Sequence, residues 1–224
     1  LEPMVMVKED HLVQQEGPAG KSSLLMARNL VYRYRPGSRV ILQDCSLRIH
    51  YGDRILLEGP SGGGKSTLAA VLGGLRTPEN GLLLLWDFDQ KTLGEEMWHQ
   101  RVIVTPQFHE NHIFSGSLAF NLLMGRRWPP HPTDLIEAEA ICHELGLGDL
   151  LRHMPAGLQQ VVGERGWRLS HGERSRIYIA RALLQKADLV ILDESFGSLD
   201  PENLFQAMNC AIARAPTLFV IAHP

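Results

Sequence analysis

Short apolar runs and helix-length apolar patterns follow one another along this chain. Short apolar or alternating runs bounded by Gly, Pro, Asn or Asp predict β-strands, and apolar positions that repeat every three or four residues predict helices. The predicted strands are 23–34, 40–49, 54–58, 81–88, 101–107, 188–194 and 217–223, and the predicted helices are 65–75, 131–147, 174–185 and 201–215.

This order of elements predicts an α/β fold with a largely parallel sheet, because strands alternate with helices. The segment from Phe108 to about Lys186 is mainly helical in pattern and predicts a helical subdomain at about 108–186, inserted between core strands. Residues 1–23 are polar and lack a sustained period, so they are predicted to be a linker or tail, and 24–224 to be one domain. Both ends look cut, which suggests a fragment of a longer polypeptide.

The composition narrows the possible partners and the compartment. A net charge of −3 over 224 residues lacks the basic surplus typical of nucleic-acid binders, and no nucleic acid is expected. No apolar run reaches the roughly 18–20 residues of a membrane helix. Three scattered cysteines, without metal or disulfide spacing, indicate reduced thiols in a cytosolic compartment. The four tryptophans, Trp86, Trp98, Trp128 and Trp167, are interpreted as packing anchors.

A glycine-rich stretch, GPSGGGKSTL, follows the predicted strand at 54–58 and opens a predicted helix. It fits G-x-x-x-x-G-K-[ST], and its strand–loop–helix context is that of a phosphate-binding loop. Glycines let backbone N–H groups approach phosphates, Lys65 supplies a cation, and Ser66 supplies a hydroxyl for Mg²⁺. The alternative is a flexible loop with an incidental lysine. The candidate nucleotide contacts are Gly59, Pro60, Ser61, Gly62, Gly63, Gly64, Lys65, Ser66 and Thr67.

A second motif, LVILDE, ends an apolar strand with the two carboxylates of Asp193 and Glu194. A carboxylate at the carboxyl end of a parallel strand is expected beside a phosphate site. Asp193 is the candidate Mg²⁺ ligand, and Glu194 is the candidate group that orients an attacking water. Taken alone, two acids at a strand end could simply be solvated.

Together with the stretch LSHGE at 169–173, these motifs resemble the ATP-binding cassette of ABC transporters over almost the whole chain. The glycine loop resembles Walker A, LVILDE resembles Walker B, and LSHGE resembles the signature, usually LSGGQ. TPQ with Gln107 resembles the Q-loop, GSLD with Asp200 resembles the D-loop, usually S-A-L-D, and His223 resembles the switch histidine. Six motifs in the family's order make chance a poor explanation.

The resemblance implies a P-loop NTPase core with a mainly parallel sheet, an N-terminal antiparallel β subdomain and an inserted α-helical subdomain. It implies ATP and Mg²⁺ as cofactors, with Gln107 completing the Mg²⁺ or water contacts. It also implies that Tyr34 stacks on adenine and that Ile41 packs on the other side of the base. The alternative for Tyr34 is an ordinary strand aromatic, and Tyr32 is a weaker candidate for the stack.

In this family two cassettes face each other, and each ATP lies between them. The resemblance therefore assigns Ser170 and Gly172 to the γ-phosphate of a partner's ATP, and His223 to the γ-phosphate of the chain's own ATP. It also implies that Asp200 is a nucleotide-binding residue. A helix-capping role for Ser170 is compatible with this assignment. His171 and Glu173 depart from the usual Gly and Gln. The hypothesis is a catalytically competent cassette with a modified signature.

The run VVGERG before the signature resembles exporter-type cassettes, in which Glu164 would contact transmembrane domains. The implied function is ATP hydrolysis that drives export, at the cytoplasmic face of a membrane, with a bacterial inner membrane preferred. The implied partners are a second cassette, identical or different, and the transmembrane domains. Two alternatives stay open: a soluble ABC ATPase that acts on nucleic acid or ribosomes, and a non-catalytic nucleotide-binding regulator.

Overall fold

A computed structural model describes residues 22–107, 109 and 112–222 of the chain. Within them the fold divides into two compact units. The first unit holds the described residues up to Val104, Asp188–Asp193, and those from Pro216 onward. The second unit holds the described residues of Thr105–Ala187 and Glu194–Ala215. The predicted tail, residues 1–23, falls almost entirely outside the described residues, and the domain boundaries stay predictions.

The first unit begins with an antiparallel sheet. Strand β1 (Ser23–Tyr32) lies between β2 (Leu42–His50) and β4 (Asn80–Leu85), and the short β5 (Phe88–Asp89) pairs with β4. The predicted strand at 81–88 is broken, because Trp86 and Asp87 adopt positive φ angles and turn the chain between β4 and β5. The apolar run hid this turn, because Trp86 is not a usual turn residue, although Asp87 is one.

A second sheet of the first unit has the order β3, β10, β9, β6. Strands β3 (Arg54–Glu58), β10 (Thr217–Ala222) and β9 (Leu189–Asp193) run parallel. The fourth strand, β6 (Val102–Thr105), extends one residue into the second unit. These observations confirm the predicted fold class of a mainly parallel sheet combined with an antiparallel one.

Helix α1 (Lys65–Leu72) packs against β9, and its apolar residues join those of both sheets in one core. Two further helices, α2 (Gln90–Leu93) and α3 (Glu95–Arg101), were not predicted from the sequence. Both are short and carry few apolar residues, so their apolar period is weak. The α3 residue Trp98 nevertheless enters the core completely, and its indole N–H donates to the Leu72 carbonyl at 3.0 Å.

The second unit is mainly helical. Its five helices in the described residues are α4 (Leu118–Leu122), α5 (Pro132–Glu144), α6 (Gly148–His153), α7 (His171–Leu184) and α8 (Pro201–Arg214). A two-residue strand pair, β7 (Gly116–Ser117) with β8 (Val161–Val162), and a 3-10 turn at Gly157–Gln159 complete it. Helix α7 packs against α4, α5 and α8, so it forms the centre of this unit. No helix in the described residues has the length and apolar character required to cross a membrane.

The burial of several apolar side chains differs from what the apolar pattern alone suggests. Strand β3 is not fully buried: it is an end strand among the described residues, and Leu56 is 59% exposed. On α5 the apolar face excludes Ile136, which is 68% exposed. Among the tryptophans, Trp98 is a packing anchor as predicted, whereas Trp128 is half exposed. The three cysteines are buried, and burial raises the pKa of the Cys142 thiol to about 12.

We predict that Trp98→Ala lowers the free energy of unfolding by about 3–5 kcal/mol, because it removes a fully buried side chain and leaves the Leu72 carbonyl without its donor. Urea unfolding followed by circular dichroism would measure the loss. The matched control is Met97→Ala, one residue earlier on the same helix but 41% exposed, which should change stability by less than about 0.5 kcal/mol. Equal effects at the two positions would contradict the assignment of Trp98 to the core.

Candidate functional site

The glycine loop joins the end of β3 to the start of α1. Gly62 and Gly64 have φ angles of +76° and +89°, a region that side chains disfavour, so the loop needs glycine at both positions. Gly64 stands at the N-cap of α1 and has no side chain to cap the first turn. Because the first N–H groups of a helix have no partners within the helix, this turn is suited to bind an anion.

The Lys65 side chain lies within this loop and is only 5% exposed. Its ammonium donates hydrogen bonds to the carbonyls of Gly59 at 2.7 Å and Pro60 at 3.0 Å. The cation is therefore held by the two residues that open the loop. A compact positive charge beside an uncapped helix start attracts a phosphate chain, and the charge and the helix dipole add.

Gly64 also allows the loop to approach the segment before β2. A Cβ on Gly64 would lie 3.2 Å from the Ile41 carbonyl oxygen and 3.3 Å from its Cγ2. The predicted nucleotide contact Ile41 is thus packed directly against the glycine loop. The missing side chain of Gly64 lets the two segments meet.

Tyr34 is held in place by three neighbours in the first unit. Its hydroxyl shares a hydrogen bond of 2.9 Å with the Thr67 hydroxyl, and the Tyr32 ring meets it edge-on at 5.3 Å between centroids. The Arg76 guanidinium lies 5.9 Å from the ring centroid. The Tyr34 side chain is still 56% exposed, so its ring can stack on a planar ligand. Its link to Thr67 ties this aromatic to the helix that follows the glycine loop.

The strand register brings Asp193 to the edge of the sheet from which the glycine loop emerges. Ile221 of β10 is level with Leu57 of β3 and with Asp193 of β9. Because these strands are parallel, their carboxyl ends share one edge, where ligands bind in open α/β sheets. Asp193 is 2% exposed. His223, the residue after β10, lies outside the described residues.

The oxygen donors of this unit fit Mg²⁺. A serine hydroxyl and a carboxylate are hard ligands, as Ser66 and Asp193 would supply, and Mg²⁺ on nucleotides takes one or two protein ligands plus phosphate oxygens and waters. The described residues contain no group of three or more His, Cys, Asp or Glu that could hold a metal ion. Gln107 belongs to the second unit.

Glu194 is the first residue after β9 and belongs to the second unit. Its φ angle is +48°, a left-handed conformation that is uncommon for a residue with a side chain. The Gly197 N–H donates to the Glu194 carbonyl at 3.3 Å, so the chain turns sharply at this residue. Strained non-glycine residues concentrate at functional sites, because the surrounding structure must hold them there.

Ser170 and Glu173 form a reciprocal cap at the start of α7. The Glu173 N–H donates to the Ser170 hydroxyl oxygen at 3.2 Å, and the Ser170 N–H donates to the Glu173 carboxylate at 2.7 Å. This confirms the capping role of Ser170 and gives Glu173 a structural role, since Glu is a preferred third residue of such a cap. Gly172 lies in the same turn, and a Cβ there would be in ordinary contact with Leu199, 3.7 Å away.

Asp200 caps α8 in a similar way, which the sequence reasoning did not anticipate. Its carboxylate accepts from the Asn203 N–H at 3.0 Å and from the Asn203 side-chain amide at 2.6 Å. These hydrogen bonds hold the pKa of the Asp200 carboxyl below its usual value. The sequence Asp-Pro-Glu-Asn could have predicted this cap, because Asp followed by proline at the first helical position is a common helix start.

Similarity to known proteins covers most of the chain. Residues 42–197 match the protein family described as ABC transporter. The chain is 35% identical over 217 residues, 93% of its length, to the ATP-dependent lipid A-core flippase of Nitrosococcus oceani. It is 32% identical over 221 residues, 96% of its length, to the colicin V secretion/processing ATP-binding protein CvaB of Escherichia coli.

A solved structure agrees with these relatives. A bacterial Atm1-family ABC exporter with ATP bound superimposes with a TM-score of 0.77 at 28% sequence identity over 92% of this chain. The chain spans 35% of the length of that exporter, 35% of the flippase and 29% of CvaB. The family resemblance inferred from the six motifs is thereby confirmed.

We predict that Gly62→Ala lowers the free energy of unfolding by about 1–2 kcal/mol, because alanine is strained at a positive φ. Gly64→Ala should cost more, since its Cβ would also press on the Ile41 carbonyl, whereas a Cβ at Gly62 meets nothing within 4 Å. Thermal unfolding of the two variants would measure the difference. Equal losses of unfolding free energy in the two variants would contradict the close packing of Ile41 against Gly64.

Proposed function

Because the chain belongs to the ABC transporter family, we propose that it is the ATP-binding and ATP-hydrolysing cassette of an exporter. The observation that carries this proposal is the glycine loop itself, where the cationic Lys65 and the uncapped start of α1 are presented together. ATP hydrolysis is general in the family, and its occurrence in this chain is the proposal to be tested.

In the proposed binding mode, Gly59–Thr67 surround the phosphates of ATP, which accept hydrogen bonds from the Lys65 ammonium and from the backbone N–H groups of the loop, Pro60 excepted because proline has none. Tyr34 stacks on the adenine, which the tethered and half-exposed state of its ring supports. Ile41 packs beside the base. Ser66, Gln107 and Asp193 hold Mg²⁺, which neutralises phosphate charge when bound.

In the proposed hydrolysis step, Glu194 accepts a hydrogen bond from the attacking water and orients it toward the γ-phosphate. The left-handed backbone conformation of Glu194 supports this role. Such a strained conformation persists only where the surrounding structure holds the residue in one orientation, and a water-orienting group needs a fixed orientation. His223, which lies outside the described residues, is proposed from the family resemblance to stabilise charge on the γ-phosphate.

The proposed partner is a second cassette, identical or different, whose ATP would contact Ser170 and Gly172 of this chain. Asp200, at the start of α8, would lie near the same interface. The capped first turn of α7 supports this assignment, since it fixes the Ser170 hydroxyl at a helix N-terminus. Transmembrane domains are the second proposed partner, with contact through the exposed Glu164, and the cytoplasmic face of a membrane is the proposed location.

The experiment that tests this function is Mg·ATP hydrolysis by the chain across a range of protein concentrations. Specific activity should rise with concentration, because two chains must meet to complete each site. Glu194→Gln should lower the hydrolysis rate by about 100-fold or more while ATP binding stays within about threefold. Glu95→Gln, which alters an exposed glutamate on α3, is the matched control and should change neither quantity.

Two results would redirect the assignment. ATP binding with no hydrolysis at any concentration, and no effect of Glu194→Gln on a mixed pair with another cassette, would favour the non-catalytic regulator. Stimulation of hydrolysis by RNA or ribosomes would favour the soluble ABC ATPase. We expect no stimulation by either, given the acidic net charge of −3.

We predict that Tyr34→Ala raises the Kd for ATP about tenfold, because stacking between a base and an aromatic ring is lost. Tyr34→Phe keeps the ring and removes only the hydrogen bond to Thr67, so its Kd should change about threefold or less. Fluorescence titration with an ATP analogue would measure both. Tyr51→Ala, at another exposed tyrosine of the first unit, is the control. An unchanged Kd in Tyr34→Ala would refute the stacking role.

A further inference from the structure

Two separate sets of hydrogen bonds connect the first turns of α7 to the loop before α8 and to the first turn of α8. In the first set, the hydroxyls of Ser175 and Ser198 lie 2.6 Å apart. Ser175 is 2% exposed, so this contact is shielded from water on at least one side. Ser198 is the residue at which GSLD replaces the alanine of the usual S-A-L-D. Its hydroxyl therefore adds a contact that alanine could not make.

The second set is centred on Arg176. Its Nε donates to the Gly172 carbonyl at 3.2 Å, within the first turn of α7, and its Nη1 donates to the Asn203 side-chain oxygen at 2.7 Å. The Asn203 amide donates in turn to the Asp200 carboxylate at 2.6 Å. A continuous path of hydrogen bonds thus runs from Asp200 through Asn203 and Arg176 to Gly172.

The residues around Arg176 hold its guanidinium in this position. Burial lowers the pKa of the Arg176 guanidinium, while the charges of Glu173 and Asp200 oppose that shift. Its Nη1 also donates to the Gly146 carbonyl at 2.8 Å. A Cβ on Gly146 would lie 3.1 Å from that nitrogen and 3.3 Å from the Asn203 oxygen, so glycine leaves the space that both groups occupy. A partly buried cation with donors satisfied on several sides is held in one orientation.

We propose that Arg176, Asn203 and the Ser175–Ser198 pair are positioning residues that hold the first turn of α7 in the orientation required for ATP. Arg176, held by Asn203, acts through Gly172 on the turn that carries the Ser170 hydroxyl, and the serine pair fixes Ser175 in the following turn. This inference rests on the proposed function, because the first turn of α7 is assigned to the ATP of a partner cassette. Ser198 belongs to the same loop as Glu194, four residues further along the chain.

The variants that test this proposal are Ser198→Ala and Asn203→Ala. Ser198→Ala installs the residue of the usual motif and should fold. Asn203→Ala keeps the backbone N–H that donates to the Asp200 carboxylate, so the cap of α8 is retained. The control is Arg152→Ala, which removes an exposed ion pair with Asp149 elsewhere in the second unit. Arg176→Lys keeps the charge of Arg176 but loses its planar set of donors.

The first measurement is hydrogen exchange in the 224-residue chain without nucleotide. Both Ser198→Ala and Asn203→Ala should speed exchange of the amides at 170–174 about fivefold or more, although neither substitution lies on α7. Arg176→Lys should have the same effect and Arg152→Ala none. Unchanged exchange at 170–174 in both alanine variants would overturn the proposal, whatever their effect on the loop itself.

The second measurement separates positioning from stability. At a concentration where the unaltered chain hydrolyses ATP, Asn203→Ala should lower kcat about tenfold, while the Kd for ATP stays within about twofold because Lys65 and Tyr34 belong to the other unit. A fall in kcat that is matched by loss of ATP binding would overturn the proposal. If the unaltered chain does not bind ATP, the proposed function fails, and hydrogen exchange still decides whether the turn is held.

Discussion

The parallel register of β3, β10 and β9 is the constraint on which the rest of the first unit depends. It brings the carboxyl ends of these strands to one edge, so the glycine loop and Asp193 emerge there together. A buried carboxylate and an uncapped helix start are each unfavourable in isolation, because charge and polar groups are removed from water. In the proposed function, Mg²⁺ and the phosphates of ATP would interact with both of them at this edge of the sheet.

The contacts around the glycine loop hold it in a defined conformation. Lys65 is bound by the first two carbonyls of the loop, and Gly64 permits close contact with Ile41. Tyr34 is tied to Thr67 on the helix that follows. The proposed contacts for base and phosphate therefore belong to one packed structure, and little reorganisation is needed when the ligand binds.

The departures from the usual signature are compatible with an ordered structure. Glu173 completes a reciprocal cap with Ser170, which a glutamine could also do, so its carboxylate is occupied within the turn. Ser198, the departure in the D-loop segment, pairs with Ser175. The departure at Ser198 adds a local contact, the one at Glu173 keeps the cap, and α7 remains the centre of the second unit, packed against three other helices.

The sequence by itself determined the order of the main strands and helices, the fold class and the family, because apolar period and motif spacing are local properties of the chain. It did not predict α2 and α3, the turn at Trp86 or the exposure of Leu56, since these depend on which elements become neighbours. Only the tertiary structure decided that Tyr34 bonds to Thr67 and that Arg176 joins Gly172 to Asn203. Such contacts join residues far apart in the chain, and only the packing of strands and helices determines which of them meet.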